Sequence, residues 1–307
     1  MKLTGLHILL TYQCNLECDH CFVWGSPWQS GTMSARQIWQ ILCQARELTS
    51  IEWIYFEGGE PFLYYPILLK GIRQAARLGF NVGVVSNSYW ATTERDAREW
   101  LRPMAGLVQD LSISSDLFHW SEQQSQRVEI AQSAAQRLGI PIDVISIAQP
   151  EEADAAAAVG QLPAGKSGVM FRGRAADKLT SRATMYAAGQ FTECPFEDLR
   201  EPGRVHVDPF GNLHICQGIS LGNLFETSLG EICEHYAPAS HPIAGPLLNG
   251  GPVELARCYE VSVEAVYADA CHMCYQVRSN LRSRHPDILT PDAMYGELET
   301  STLASLP

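Results

Sequence analysis

No stretch of about 18 uncharged apolar residues occurs in the sequence, so no helix is expected to span a membrane. Basic residues are scarce as well: Lys plus Arg total 22 against 34 Asp plus Glu, a net charge of −12 and a pI near 5.2. Phosphate backbones attract basic surfaces, so this balance argues against general nucleic-acid binding. An export signal is also lacking. Met1-Lys2-Leu3-Thr4-Gly5 runs straight into an alternating apolar segment with no small-residue cleavage site. There are no internal repeats, and the alanine-rich tract Ala153–Ala158 reads as a helix surface. What is present excludes a disordered chain: 46% hydrophobic against 18% charged residues is ample for a buried core. The length of 307 residues allows one large domain or two smaller ones. A soluble, cytoplasmic protein is expected.

Ten cysteines stand out against this background. In a short secreted chain they would suggest disulfides, but here they are read as metal ligands or buried thiols of a reducing compartment. Cys43 and Cys233 lie in apolar helical patterns and are expected in the core. Cys14, Cys18 and Cys21 form one metal-like group; Cys194, Cys216, Cys271 and Cys274 form another.

The first 175 residues alternate strand-like and helix-like segments. Short apolar runs at Leu6–Tyr12, Ile51–Phe56, Asn81–Val85, Val108–Ser114, Pro141–Ile147 and Gly168–Arg172 read as strands covered on both faces. Between them, a helix with a Ser34/Gln37 capping box carries Ile38, Ile41, Leu42 and Ala45. Further helices are predicted at Pro66–Leu78, Thr93–Leu101, Glu122–Leu138 and roughly Glu151–Val159, with Gly79 and Gly139 as C-terminal stops. Six strands separated by helices imply a parallel sheet, and an open sheet or a partial barrel satisfies the pattern equally. After residue 180 prolines and glycines break this rhythm. Arg204–Asp208 and Asn212–Cys216 read as a hairpin through Pro209-Phe210-Gly211, short helices are expected at Val261–Ala268 and Tyr275–Ser283, and Pro291–Pro307 as a loose tail.

Directly after the first strand comes Cys14-Asn15-Leu16-Glu17-Cys18-Asp19-His20-Cys21. Three thiolates so spaced suit one face of an iron–sulfur cluster and leave one metal open; a zinc site with a remote fourth ligand such as His20 is the alternative. The second strand ends in Glu57-Gly58-Gly59-Glu60-Pro61, whose glycines would let backbone approach a ligand closely. Ser86 and Asn87 end the third strand, and Ser114 and Asp116 the fourth. Their polar groups suit a ribose or a carboxylate, or ordinary turn capping. Arg172 ends the sixth strand and suits a bound carboxylate, proton transfer or a surface ion pair.

The CxxxCxxC and GGEP loops on a βα scaffold resemble the radical S-adenosylmethionine (radical SAM) superfamily. The resemblance implies an α/β fold, a partial (β/α)6 TIM-type barrel over residues 1–180. It implies a [4Fe–4S] cluster held by Cys14, Cys18 and Cys21, with S-adenosylmethionine chelating the open iron. Gly58, Gly59, Glu60 and Pro61 would contact the methionyl group, while Ser86, Asn87, Ser114 and Asp116 complete the cofactor site. One electron would split the sulfonium into methionine and a 5′-deoxyadenosyl radical that takes a substrate hydrogen. His20 stands where an aromatic residue often precedes the third cysteine.

Cys194, Cys216, Cys271 and Cys274 give C-x21-C-x54-C-x2-C, enough to close a zinc site or an iron–sulfur cluster. Together with Val207–Cys216 and Leu221-Gly222-Asn223-Leu224, this region resembles the Twitch or SPASM domains appended to radical SAM enzymes. It has too few cysteines for the full SPASM pattern. A small α+β unit at 181–290 with one auxiliary [4Fe–4S] cluster is therefore implied, followed by a 291–307 tail. Cys258 is left over: a buried thiol, a substitute ligand or a catalytic hydrogen donor.

The implied function is hydrogen abstraction from a peptide or small-molecule substrate. The auxiliary cluster would pass electrons or anchor substrate. Peptide side-chain modification ranks ahead of oxidising a hydroxylated metabolite. Expected partners are an electron donor such as flavodoxin or ferredoxin and a separate protein that could supply peptide recognition, since the first strand starts too early for a preceding recognition domain. No cobalamin-binding segment is evident, which lowers methyl transfer. The rival reading is a non-catalytic zinc or iron–sulfur scaffold or electron-transfer protein.

Overall fold

The computed structural model describes residues 1–119, 122–151 and 165–298. Strand β1 (Leu3–Thr11) is buried at every position but Thr4, as both-face coverage requires. Helix α1 (Ala35–Glu47) opens with the expected capping box: the Gln37 amide donates to Ser34 Oγ, and the Ser34 amide donates to the Gln37 side chain at 2.8 Å. Its buried stripe is Ile38, Ile41, Leu42 and Ala45. The alternation continues through β2 (Trp53–Gly58), α2 (Tyr65–Arg77), β3 (Asn81–Ser86), α3 (Glu94–Leu101), β4 (Asp110–Ser114), α4 (Glu122–Arg137), β5 (Ile142–Ile147) and β6 (Gly165–Ser167). These six strands pair in parallel, each with the next in sequence. That is the partial (β/α)6 barrel. Gly79 and Gly139 stop α2 and α4 at φ of 88° and 67°, where a side chain is disfavoured.

Beyond the barrel lie α5 (Arg174–Lys178), β7 (Tyr186–Ala187), β8 (Gly203–Val207), β9 (Asn212–Cys216) and β10 (Ile219–Asn223). They are followed by α6 (Leu229–His235), α7 (Ala244–Cys258, kinked at Gly250-Gly251), β11 (Val266–Tyr267) and α8 (Ala270–Leu281). The β8–β9 pair is the expected hairpin, and β10 adds a third antiparallel strand that was not expected. Strand β8 also pairs in parallel with β1, so one nine-stranded sheet runs β10-β9-β8-β1-β2-β3-β4-β5-β6. Two main apolar cores result. One lies between the sheet and α1–α4, and the other gathers Leu9, Tyr12, Ile215, Leu247, Met273 and Leu281. Among the described residues, no helix is long and apolar enough to cross a membrane.

Several expectations need correction. The sixth strand is Gly165–Ser167 rather than Gly168–Arg172, because the Phe171 amide donates to Asp269 Oδ2 at 3.1 Å instead of to β5. Val261–Ala268 is not a helix: Val266 and Tyr267 pair with β7, and the Ala265 carbonyl accepts from Ala188. The helix expected at Tyr275–Ser283 begins earlier, at Ala270, after Asp269 caps the His272 amide, so it contains both Cys271 and Cys274. The start of the 291–307 tail is packed rather than loose, with Ala293, Met294 and Tyr295 buried. Cys233 is buried, whereas Cys43 is only half-buried and Cys258 is exposed. The helix expected at Glu151–Val159 lies largely outside the described residues.

Candidate active site

The carboxyl ends of β1–β5 and the segment after β6 surround one cavity of about 190 Å³. Cys14, Cys18, Cys21, Gly58, Gly59, Ser86, Asn87, Ser114, Asp116 and Arg172 all line it. The cysteine loop is tied down from several sides. Cys14 N–H donates to the Ser26 carbonyl at 3.0 Å, and the sulfurs of Cys14 and Cys21 accept the amides of Leu16 and Gly25 at 3.4 and 3.2 Å. Asn87 Nδ2 donates to Cys14 Sγ at 3.7 Å and to Asn15 at 2.9 Å.

Burial pushes the Cys14 thiol up to about 12, with the nearby Glu60 charge adding to it. Burial, then each other's proximity, raises Cys18, and burial raises Cys21. Three enclosed sulfurs that resist ionisation on their own, two of which receive N–H donors, fit a cationic metal group that would hold them as thiolates. His20 does not join them as a fourth ligand. Its Nε2 lies 4.0 Å from Asp116, in a cluster with His119.

Gly58 and Gly59 serve a purpose the sequence did not reveal. A Cβ on Gly58 would stand 2.4 Å from the Thr11 carbonyl oxygen, and one on Gly59 would stand 2.2 Å from that of Gln13. The glycines therefore let β2 close against the end of β1, which fixes the cysteine loop. Gly59 and Glu60 N–H then donate to the Thr11 and Gln13 carbonyls at 2.7 and 2.9 Å. Glu60 is wholly buried and faces Ser86, whose hydroxyl donates to it at 2.9 Å, and the Asn87 amide, at 2.8 Å. Pro61 is buried and opens the short turn that follows. Ser86 also accepts from Trp90 Nε1, so its hydroxyl is committed to bracing the strand ends.

Asp116 accepts from His119 Nδ1 at 2.8 Å and from the amides of Phe118 and Ile147. Burial would raise its carboxyl, but the His119 hydrogen bond and the adjacent imidazoles bring it below its usual value. Arg172 is no surface ion pair. It is 7% exposed, bonds Glu197 Oε1 at 2.9 Å and Cys216 Sγ at 3.6 Å, and sits over the Phe22 ring at 5.5 Å.

Sequence reading passed over several residues in and behind the cavity wall. Arg174, 3% exposed, donates to the carbonyls of Cys18, Trp24 and Gly25 at 2.7, 3.0 and 2.9 Å. Gly173 before it allows that approach, since a Cβ there would meet the Phe22 carbonyl oxygen at 2.5 Å. On the opposite wall, Glu57 bridges His7 Nδ1 and His206 Nε2, each at 3.1 Å, and burial lowers His206 to about 4. Arg204 lies 3.3 Å from His206. His206 and Arg204 reach the cavity from β8, through a pairing with no local sequence signal.

Cys194, Cys216, Cys271 and Cys274 meet around a second, smaller cavity, whose wall Arg172 shares with the first. Burial raises Cys194 to about 12 and Cys271 well above the usual thiol range. Cys258 lines neither cavity; it bonds Glu254 on the exposed face of α7.

Residues 8–138 match the Radical SAM superfamily model. This segment is a radical SAM domain. Its relatives include the putative peptide biosynthesis protein YydG of Bacillus subtilis, 30% identical over 113 residues, 36% of this chain and 35% of that protein. The tungsten-containing aldehyde ferredoxin oxidoreductase cofactor-modifying protein of Pyrococcus furiosus is 31% identical over 107 residues, 34% of this chain and 28% of that protein. The match thus spans about a third of each curated relative's length. In three dimensions the chain superposes on BtrN in complex with AdoMet and 2-DOIA with a TM-score of 0.50 at 15% identity, covering 76% of this chain and 83% of that one. That likeness bears on the fold. A radical SAM domain implies S-adenosylmethionine and a [4Fe–4S] cluster as its cofactors.

Proposed function

We propose that this radical SAM enzyme uses its barrel cavity to take a hydrogen atom from a peptide side chain. The observation that carries the reading is the convergence of Cys14, Cys18 and Cys21 on a cavity whose other walls are strand ends bearing polar side chains. When bound, the cluster and S-adenosylmethionine together supply the radical. The protein's own residues do the rest. The three sulfurs hold the cluster, and the Gly58–Pro61 loop fixes them against β1 and flanks the methionyl group. Asn87, Ser114 and Asp116 offer the polar contacts a ribose or carboxylate needs. Apolar Ile145, Ile147, Val169 and Met170 exclude water from the reacting centre.

A peptide substrate is favoured by the relative described as a putative peptide biosynthesis protein. A hydroxylated small molecule ranks second, and the His7–Glu57–His206 wall with Arg204 suits its hydroxyl groups. The four remaining cysteines would hold an auxiliary [4Fe–4S] cluster in a unit spanning 181–290, after a barrel spanning 1–180. All four line one small cavity, and four cysteines are a complete ligand set for a closed cluster. The partners of this reading are a flavodoxin- or ferredoxin-type donor and a separate peptide-recognition protein, in the cytoplasm, where thiols stay reduced.

Oxygen-free reconstitution tests it. About eight iron atoms and as many sulfides per chain, with conversion of S-adenosylmethionine to 5′-deoxyadenosine under dithionite, are expected. A chain that binds zinc only, or leaves the sulfonium intact, would be the non-catalytic scaffold.

A further inference from the structure

Arg278 on α8 is 1% exposed and wholly enclosed. It donates to the Gln217 carbonyl at 2.6 Å and to Tyr295 Oη at 3.1 Å, and it hydrogen-bonds Cys274. Among the described residues, no carboxylate pairs with it. A guanidinium stays charged at any physiological pH, and a buried unpaired charge costs several kcal/mol. The groups beside it that can carry negative charge are Tyr295, whose phenol burial keeps protonated, and the cysteines of the second cavity, Cys274 and Cys216.

Arg172 flanks the same cavity, bonded to Cys216 Sγ at 3.6 Å. Its partner Glu197 also lies 3.8 Å from Arg204, so this carboxylate is shared between two guanidiniums. Both Arg172 and Arg278 keep a buried Nε–H with no acceptor. Two orphaned donors in the wall of one cavity call for acceptors beyond the thiolates, and the inorganic sulfides of a cluster are such acceptors.

We propose that Arg172 and Arg278 act as positioning residues that clamp the auxiliary cluster through Cys216 and Cys274 and raise its reduction potential, so that it takes up an electron more readily than it releases one. This rests on the iron–sulfur reading of the second cavity. Reduction adds one negative charge to the cluster. Fixed positive charges and N–H donors at the sulfurs stabilise the reduced form more than the oxidised one. The electron comes from the substrate carbon radical, which also loses a proton to water and leaves as a closed-shell product. The substrate is then oxidised by two electrons overall: one departs with the abstracted hydrogen atom and one goes to the cluster.

The test is a dithionite redox titration, followed by electron paramagnetic resonance, on the full chain carrying Cys14→Ala, Cys18→Ala and Cys21→Ala, in which only the second site can hold iron. In that background Arg172→Met is expected to lower the midpoint by at least a tenfold change in the reduction equilibrium, about 59 mV for one electron. Arg172→Lys keeps the charge but not the fork, so it should restore part of that loss. Arg278→Lys, chosen because Arg278 also holds Gln217 and Tyr295, should lower the midpoint less than Arg172→Met does. Should Arg172→Met fail to fold, the two lysine variants decide. A fully loaded cluster whose midpoint is unmoved in these variants would overturn the clamp. A background protein that holds zinc, with no iron or sulfide, would instead overturn the auxiliary-cluster reading itself.

Discussion

Arg174 donates to the Cys18 carbonyl at 2.7 Å from the first turn of α5, so the arginine that follows the sixth strand holds the loop that follows the first. The same guanidinium binds the Trp24 and Gly25 carbonyls and lies 5.3 Å over the Trp24 ring. Replacing it with methionine leaves buried carbonyls without donors, each costing about 1–3 kcal/mol. Arg174→Met should therefore lower the unfolding midpoint and deplete iron at the amino-terminal site. Denaturant titration and metal analysis would show it. Stability and iron content equal to the parent's would remove Arg174 from this role.

Gly59→Ala should be far more damaging than its conservative appearance suggests, because the added carbon would meet the Gln13 carbonyl oxygen at 2.2 Å. The carbonyl is backbone and the Cβ position is set by the backbone, so neither can rotate away. The expected result is a displaced cysteine loop and loss of S-adenosylmethionine cleavage. Gly106→Ala is the comparison, since nothing lies within 4 Å of its added carbon. It bears only the strain of φ 75°, about 1 kcal/mol, with cleavage retained. Equal cleavage by the two variants would refute the steric argument.

Replacing Cys14, Cys18 or Cys21 with alanine should abolish formation of 5′-deoxyadenosine. Cys271→Ala should halve the iron content to about four atoms per chain while sparing part of that cleavage. Product formation from the true substrate should still fail. Chromatography of the nucleoside alongside iron analysis separates the two sites, and full turnover by Cys271→Ala would contradict an auxiliary role.

A pH dependence follows from Glu60. Burial pushes its carboxyl up to about 7 from an unfolded value near 4.5, despite hydrogen bonds from Asn87, Phe62 and Ser86. The folded state holds this proton more tightly than the unfolded one. The associated stability is thus complete below pH 4.5 and is lost as pH rises through about 7, a change of about 3 kcal/mol. Above that window the contribution is flat. Unfolding free energies measured from pH 4.5 to 8 should fall along this course in the parent, and the slope should flatten in Glu60→Gln. An identical slope in both would show that other groups set it.

Local chemistry was legible in the sequence and long-range pairing was not. The Ser34/Gln37 box, the buried stripe of α1 and the glycine stops depend on neighbours a few residues apart, and the structure has them as read. The cysteine groups were legible because thiols at loop spacings have few other uses in a long chain. The docking of β8 beside β1 joins residues about 200 positions apart, so no periodicity announces it. His206 and Arg204 enter the cavity only through that pairing. Gly58 and Gly59 stand at the strand end where the sequence puts them, but the crowding that makes them necessary comes from the Thr11 and Gln13 backbone, which a sequence does not display. Arg172 was singled out for its place at a strand end. Its neighbour Arg174, two residues on, gave no distinguishing signal.

The edge of β1 that faces β8 has a further meaning for how this molecule can be taken apart. Cutting the chain after residue 180 would strip the first strand of its partner from Leu3 to Ile8 and bare a row of amides and carbonyls to water. Such a raw border invites sticking to other copies. The amino-terminal portion is therefore a poor candidate for production on its own, however self-sufficient its alternating helices and strands look on paper.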